Sequence, residues 1–316
     1  KRGFVRTVAL GGFALKGALG MTGFSYVRIA RSLAGAVATV PLCATLQGPW
    51  VQCDDKPKKP QFLKAKCIKN EAHTANTRLI SFSLPDTCKP QGPIVNVLVR
   101  ATLAGAAEDG SAKKEEPASS TVARPYNPLS AESNNITLLV KRYESAKMGT
   151  KLHSLKVGET VEVLGPKQQY AIETGKYSHY GMVAGGTGIT PLIQAAEYIL
   201  SHDTAKVTML TFNKTSQDVL LRKKLAYFEV KYPDRFKVVH VVESNAAVAD
   251  LEGSATSDES LRNLLPPPGP GVLVMVCGRK EMTEAIAGPK TKDFKQGEVG
   301  GILKRLGYWS QQVWKL

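Results

Sequence analysis

Residues 181–194 read "GMVAGGTGITPLIQ". An apolar run, "YGMVA", delivers the chain into Gly185-Gly186-Thr187-Gly188, and a segment with helical spacing follows. The glycines permit a tight turn and the close approach of other backbone. Thr190 is placed to cap the helix, and Pro191 suits its first turn. A helix N-terminus at this point would offer unpaired N–H groups and a positive dipole end to a phosphate. Strand, glycines, capping Thr and proline together point to nucleotide or pyrophosphate binding. An ordinary glycine-rich βα loop is the bland alternative.

The sequence on the two sides of this turn differs in style. C-terminal to it, "AKVTMLTFN", "RFKVVHVVE" and "GVLVMVCG" read as strands, and "DVLLRKKLAYFEVKYP", "DESLRNLLPP" and "EVGGILKRLGY" as helices. Alternating β and α units predict a doubly wound parallel sheet. N-terminal to it, "TRLISFSL" alternates, while "PIVNVLVRATL" and "NNITLLVKRY" are β-rich. Short strands without convincing helices predict an antiparallel β-barrel. The small, polar stretch 104–120 reads as an exposed loop, and "DDKPKKP" (54–60) as a linker. The expected organisation is a segment over 1–56, a barrel domain over 57–170 and an α/β domain over 171–316.

The formal net charge of +15 suggests acidic partners. It is unevenly spread: residues 1–53 carry six basic residues (Lys1, Arg2, Arg6, Lys16, Arg28, Arg31) and no acid. No nucleic-acid-binding module accompanies the charge, so nucleic acid is not expected as a partner. The Gly-, Ala-, Ser- and Arg-rich N-terminal segment resembles a mitochondrial presequence in composition. Residues 32–53 are uncharged and about long enough to span a bilayer, which requires roughly 20 residues, but Pro41 interrupts them. A membrane span and a surface-lying or protein-packed segment both remain open. The segment is expected to be held by a membrane or a neighbouring subunit. Five widely spaced cysteines argue against a disulfide framework, and the five scattered histidines show no metal-ligand spacing, so no metal is expected.

"ARPYNPLS" (123–130) places Arg124, Pro125 and Tyr126 at the end of the barrel segment. An arginine can clamp a phosphate, an aromatic can stack on a flat ring, and prolines hold both extended. On this octamer alone, a Pro-rich connection between strands is equally open.

Taken in order, "RPYNPLS", "LVKRY…AKM", "GMVAGGTGITP" and "VCG…M" closely resemble the NADH-cytochrome b5 reductase branch of the ferredoxin reductase-like flavoproteins. The resemblance runs from about Phe62 to Leu316 and implies an FAD-binding barrel followed by an NADH-binding α/β domain. It implies that Arg124 meets the FAD pyrophosphate and that Tyr126 packs on the flavin. Pro125, Asn127 and Ser130 belong to the same motif, and Leu139 and Lys141 would line the cofactor. Lys147, Met148 and Gly149 match the segment that supplies backbone contacts to the pyrophosphate. Gly185, Gly186, Gly188, Thr190 and Pro191 would shape the NADH pyrophosphate site, with Thr187 beside the flavin and the incoming nicotinamide. Cys277, Gly278 and Met282 match the nicotinamide-side motif C-G-P-P-x-M, with Cys277 tuning geometry without forming a bond. Glu243 falls where the family carries an acid; it would accept from the adenosine ribose and disfavour NADPH.

Three departures stand out. Asn127 replaces a threonine, Gly149 replaces a serine, and Arg279-Lys280-Glu281 stand where the family has its two prolines. The three charged residues would either crowd the nicotinamide, favour an extra phosphate through Arg279, or point to solvent. The resemblance implies NADH oxidation through FAD, with electrons passed to an acidic protein such as a cytochrome b5-like haem protein. The rival expectation is a reductase-derived structural subunit of a large mitochondrial complex, retaining FAD with turnover reduced or lost. The expected location is mitochondrial and membrane-associated, the inner membrane being favoured over the outer.

Overall fold

The computed structural model describes residues 61–85, 92–103, 120–132, 134–242 and 258–316. The N-terminal segment, the 104–119 stretch and Glu243 lie outside these, so the anchor, exposed-loop and ribose-acid expectations fall outside the described residues. Residues 58–316 form one compact unit. Among the described residues, no helix is long and apolar enough to cross a membrane.

The first half is a seven-stranded antiparallel sheet. Its strands are β1 (Leu63–Thr74), β2 (Thr77–Ser83), β3 (Ile94–Leu103), β4 (Ser120–Tyr126), β5 (Ser130–Glu132), β6 (Asn135–Lys141) and β7 (Thr160–Tyr170). They hydrogen-bond in the order β4-β3-β7-β1-β2-β6-β5. Alternation drives the curl: Val97, Val99 and Ala101 of β3 face Ile136, Leu138 and Val140 of β6 across one core, while intervening residues turn outward. A helix, α1 (Lys147–Ser154), contributes Met148 and Leu152 to that core. It corrects the expectation of a helix-free barrel. At eight residues, with Gly149 and Thr150 inside it, α1 is too short and too poor in helix formers to show a clear period.

The second half is a parallel sheet in the order β10-β9-β8-β11-β12, the doubly wound arrangement. Its elements are β8 (His179–Gly185), α2 (Ile189–His202), β9 (Lys206–Asn213), α3 (Arg222–Lys231), β10 (Phe236–Val242), α4 (Asp258–Leu264), β11 (Val272–Cys277), α5 (Lys280–Ala287), α6 (Gly301–Arg305) and β12 (Val313–Lys315). Strands buried on both faces explain the unbroken apolar runs. In β11, Leu273 and Met275 pack beneath α2 and α3, while Val274 and Val276 pack beneath α5 and α6. Trp314 lies 4.6 Å from Tyr170, centroid to centroid, and packs on the larger core.

The two halves meet through α2. Gln194 accepts from the Val95 N–H at 3.1 Å and donates to the Pro128 carbonyl at 2.7 Å. One side chain thus fixes the α/β domain against β3 and against the proline that follows "RPYN". Ile94 and Leu139 of the barrel join the α/β core at the same seam.

Candidate functional site

The site forms where that seam opens. β8 ends at Gly185, a 3₁₀ turn occupies Gly186–Gly188, and α2 begins at Ile189. The helix therefore starts two residues earlier than expected, with Gly188 at the N-cap and Pro191 third in the helix. Thr190 does not cap: its hydroxyl donates to the Thr187 carbonyl at 3.0 Å. That bond tightens the turn and leaves the first helical amides without a side-chain cap.

Two glycine turns interlock here. A Cβ on Gly188 would strike the carbonyl of Cys277 at the end of β11, and one on Gly185 would strike the Met282 thioether from α5. Gly278 lies against Gly185, and its own Cβ position falls 2.9 Å from the same sulfur. At Gly188 glycine is required because main chain packs directly on main chain, whereas at Gly185 and Gly278 the nearest obstacle is the Met282 side chain. Gly186 has φ +52° with open space around it, so its requirement is conformational rather than steric.

A cleft of about 830 Å³ runs between the halves, a size suited to a small-molecule ligand. Its barrel wall comprises Arg124, Pro125, Tyr126 and Asn127, then Leu139 and Lys141, then Lys147, Met148 and Gly149 at the start of α1. Gly185, Thr187, Gly188, Thr190, Pro191, Cys277 and Gly278 form the opposite wall. Arg279 and Lys290 also line it, giving five cationic and no acidic side chains among the described residues. Ser130 is not among the lining residues; it sits exposed on β5, paired with Thr137 of β6. Met148 gives its side chain to the barrel core, so its contribution to the cleft is mainly backbone.

The residues present fit a flavin dinucleotide. Ala146 caps α1 without a side-chain bond, so the amides of Lys147, Met148 and Gly149 are available at the cleft, beside three cations of the barrel wall. A Cβ at Gly149 would approach the Lys141 carbonyl to 3.2 Å. Glycine at this position thus lets α1 sit closer to β6 than serine would. Burial pushes the Tyr126 hydroxyl up to about 12, opposed by the nearby Arg124, so it remains a neutral phenol beside the cleft. Asn127 donates to the Val95 carbonyl at 2.8 Å and to Gln169 Oε1 at 2.6 Å. Its amide therefore ties the exit of β4 to β3 and β7.

A second cleft of about 680 Å³ continues from the first, sharing Lys141, Tyr143, Ser145, Gly185 and Arg279. It opens over the carboxyl ends of β8 and β9, the position at which open α/β sheets take their ligands. Gly186 and Met282 line it, together with Asn213 and Asp218. Asp218 is the site residue the sequence did not disclose. Its carboxylate meets the Lys141 ammonium at 2.8 Å and also accepts from Thr215 at 2.9 Å and Asn76 at 3.4 Å. With the two side chains only 12% and 16% exposed, the pair is well shielded and joins the barrel to the α/β domain. The Lys141 hydrogen bond is the main reason the Asp218 carboxyl lies below its ordinary value, against the opposing effect of burial. Lys141 lines both clefts, as expected, but its charge is engaged by Asp218.

The departures at 279–281 resolve individually. Lys280 and Glu281 are exposed on α5 and line neither cleft, whereas Arg279, at the N-cap of α5, lines both. Cys277 retains partial surface exposure, yet its thiol is packed closely enough that burial pushes it up to about 12, with Lys290 opposing. Burial in turn pulls the Lys290 ammonium below its ordinary value. The thiol is therefore expected to stay protonated in the native protein. At pH 8, alkylation of Cys277 by iodoacetamide is expected to be about 1,000-fold slower than that of an ordinary thiol. Mass mapping of the alkylated residue checks this, and a fast native reaction there would contradict the burial argument.

Comparison with known proteins agrees with this division. Residues 112–172 match the family model described as oxidoreductase FAD-binding domain, and residues 182–288 match the oxidoreductase NAD-binding domain. Fold and groove thus define a two-domain flavin- and nicotinamide-binding oxidoreductase. The chain is 34% identical to NADH-cytochrome b5 reductase 2 of Pyricularia oryzae over 96% of its own length and 89% of the relative's. It is 35% identical to the Neurospora crassa protein of the same name over 80% of its length and 73% of that relative's. The chain belongs to the NADH-cytochrome b5 reductase family. The fold is shared with the cytochrome b5 reductase domain of Ulva prolifera nitrate reductase, at TM-score 0.67 and 23% identity over 81% of this chain and 97% of that one. It is shared also with a ferredoxin NADP+ reductase from Neisseria gonorrhoeae bearing FAD and NADP, at TM-score 0.58 and 17% identity over 81% of this chain and 98% of that one.

Proposed function

We infer that this chain oxidises NADH through bound FAD and delivers the electrons to a cytochrome b5-like protein. The observation that carries this reading is the interlock of Gly185, Gly188, Cys277 and Gly278 against the wall bearing Arg124 and Tyr126. On this reading the turn would take the nicotinamide and the wall the flavin, facing each other across one groove. When bound, FAD accepts a hydride from NADH and releases the electrons singly. The protein's task is to hold and align. Arg124, Lys147 and the α1 amides would bind the pyrophosphate; Tyr126 would cover the ring; Thr187 and Cys277 would bound the place where the two rings meet. Asp218, beyond the end of β9, is the described acid best placed for the adenosine ribose. No side chain need move a proton in the hydride step.

Steady-state reduction of ferricyanide by NADH tests this reading. NADH-dependent turnover by yellow protein supports it, and yellow protein without turnover contradicts it. Replacing Arg124 by Ala is expected to weaken FAD binding about tenfold, the worth of one charge-assisted phosphate contact, as read by flavin fluorescence on dilution.

A second reading, a subunit retaining flavin with turnover reduced, is favoured by Arg279, a cation in the groove where the resembled motif C-G-P-P-x-M would have proline. Sedimentation of native extracts separates the two readings: a free protein of the chain's own mass favours the first, exclusive recovery in a large assembly the second. For the acid-free segment 1–53 we propose attachment to the inner mitochondrial membrane. Release of the protein from mitochondria by alkaline carbonate would contradict it.

A further inference from the structure

The loop between α5 and α6 contains a residue that its local geometry disfavours. Phe294 has φ +60° and is 82% exposed. A bulky side chain in the left-handed region costs folding free energy, and an exposed phenyl ring recovers none of it by burial. Val230 is as exposed, at 83%, but sits in a regular stretch of α3.

The surroundings of Phe294 enforce its conformation. Thr291 and Lys295 close the turn: the Thr291 N–H donates to the Lys295 carbonyl at 3.1 Å, and the Lys295 N–H to the Thr291 hydroxyl at 3.0 Å. The Phe294 N–H donates to the Thr291 carbonyl at 3.0 Å. Both feet of the loop are clamped by Lys315, which is 1% exposed and whose ammonium donates to the carbonyls of Pro289 at 2.8 Å and Glu298 at 2.9 Å. Strain held this firmly at an exposed aromatic is a mark of function. The position matters too. Lys290, at the foot of the same loop, lines the cofactor cleft. Lys292 and Lys295 flank the phenyl ring in sequence and are exposed; Asp293, paired with Lys295 at 2.7 Å, offsets one of these charges.

We propose that the 290–295 loop is a docking knob for the electron-accepting protein. Phe294 enters an apolar hollow on the partner, and Lys292 and Lys295 face carboxylates around that hollow. The partner is thus an acidic protein, seated beside the cleft from which its electrons come. The proposal rests on the reductase reading: each NADH yields two electrons and a proton, and two one-electron acceptors docked in turn are each reduced once.

The test uses Phe294→Gly, which relieves the backbone strain, and Lys292→Glu, in the full-length protein. Soluble cytochrome b5 haem domain and ferricyanide serve as acceptors. Phe294→Gly is expected to raise the KM for cytochrome b5 about tenfold and to raise Tm, with ferricyanide turnover and flavin reduction by NADH unchanged. Lys292→Glu is expected to raise the same KM about threefold at low salt, the effect fading at roughly 0.5 M salt. An unchanged KM in Phe294→Gly overturns the proposal, as does failure of the unmodified protein to reduce cytochrome b5 while it reduces ferricyanide. Loss of binding to phosphatidylserine-containing vesicles with unchanged cytochrome b5 kinetics overturns it in favour of a membrane contact. Failure of NADH to reduce the flavin at all strikes the reductase reading itself and removes the proposal with it.

Discussion

Gly188→Ala is expected to slow NADH-driven flavin reduction at least about 100-fold, because a misplacement of about 1 Å suffices for that loss. The added Cβ would meet the Cys277 carbonyl and the Gly278 amide, main-chain atoms with no rotamer to escape into. The β8 turn must then back away from the end of β11, and the two turns that frame the nicotinamide no longer share one surface. Overpacking of this kind also destabilises, typically by about 1–3 kcal/mol. Gly186→Ala is the control. It meets open space, but its φ of +52° disfavours alanine, so it should cost about 1 kcal/mol of stability and leave the rate nearly intact. Stopped-flow rates and thermal melts of the two variants separate the effects. Equal rates in both would mean that the interlock does not shape the site.

Asp218→Asn should cost about 2–3 kcal/mol of stability at pH 7, since it leaves the Lys141 ammonium shielded and unpaired. The sign of the pH dependence is fixed. The folded pKa of Asp218 lies below its unfolded value, so its contribution is fully present above the unfolded value and is lost as pH falls through the folded one. The variant should therefore lack part of the wild-type acid destabilisation, and the two stability curves should converge at low pH. Because Asp218 also lines the second cleft, the KM for NADH is expected to rise in the same variant. Parallel stability curves across the acid range would contradict the ion-pair account. Lys141→Met combined with Asp218→Asn should cost less than the sum of the single changes, since the two residues share one interaction.

Much of the fold is legible in the sequence because period and punctuation agree. The apolar runs after Tyr177, two of them ending in glycine, become the strands β8, β9, β10 and β11, and the alternation in "TRLISFSL" becomes β2. The resemblance brought the Arg124–Tyr126 wall and the Gly185–Gly188 turn to one groove, where the structure also places them. What stayed hidden is tertiary in origin. Asp218 acquires its role only when the β1–β2 turn, through Asn76, and β6, through Lys141, close around it from residues far away in the chain. Lys315 reads as a surface residue until β12 inserts beside β11 and buries it beneath two carbonyls. Thr190 carries the signal of a cap, but the 3₁₀ turn before it starts the helix early and redirects its hydroxyl. Helix α5, over "KEMTEAIA", escapes because its eight residues follow directly on the Cys-Gly turn without a capping residue.

The central claim is that the two glycine turns bring a nicotinamide against a flavin held on the barrel wall. Anaerobic mixing of purified, flavin-loaded protein with NADH, followed at the flavin absorbance band by stopped flow, tests it most directly. The account predicts rapid bleaching that saturates with NADH concentration. Bound flavin that stays oxidised in excess NADH would contradict it and leave the groove a structural cofactor site.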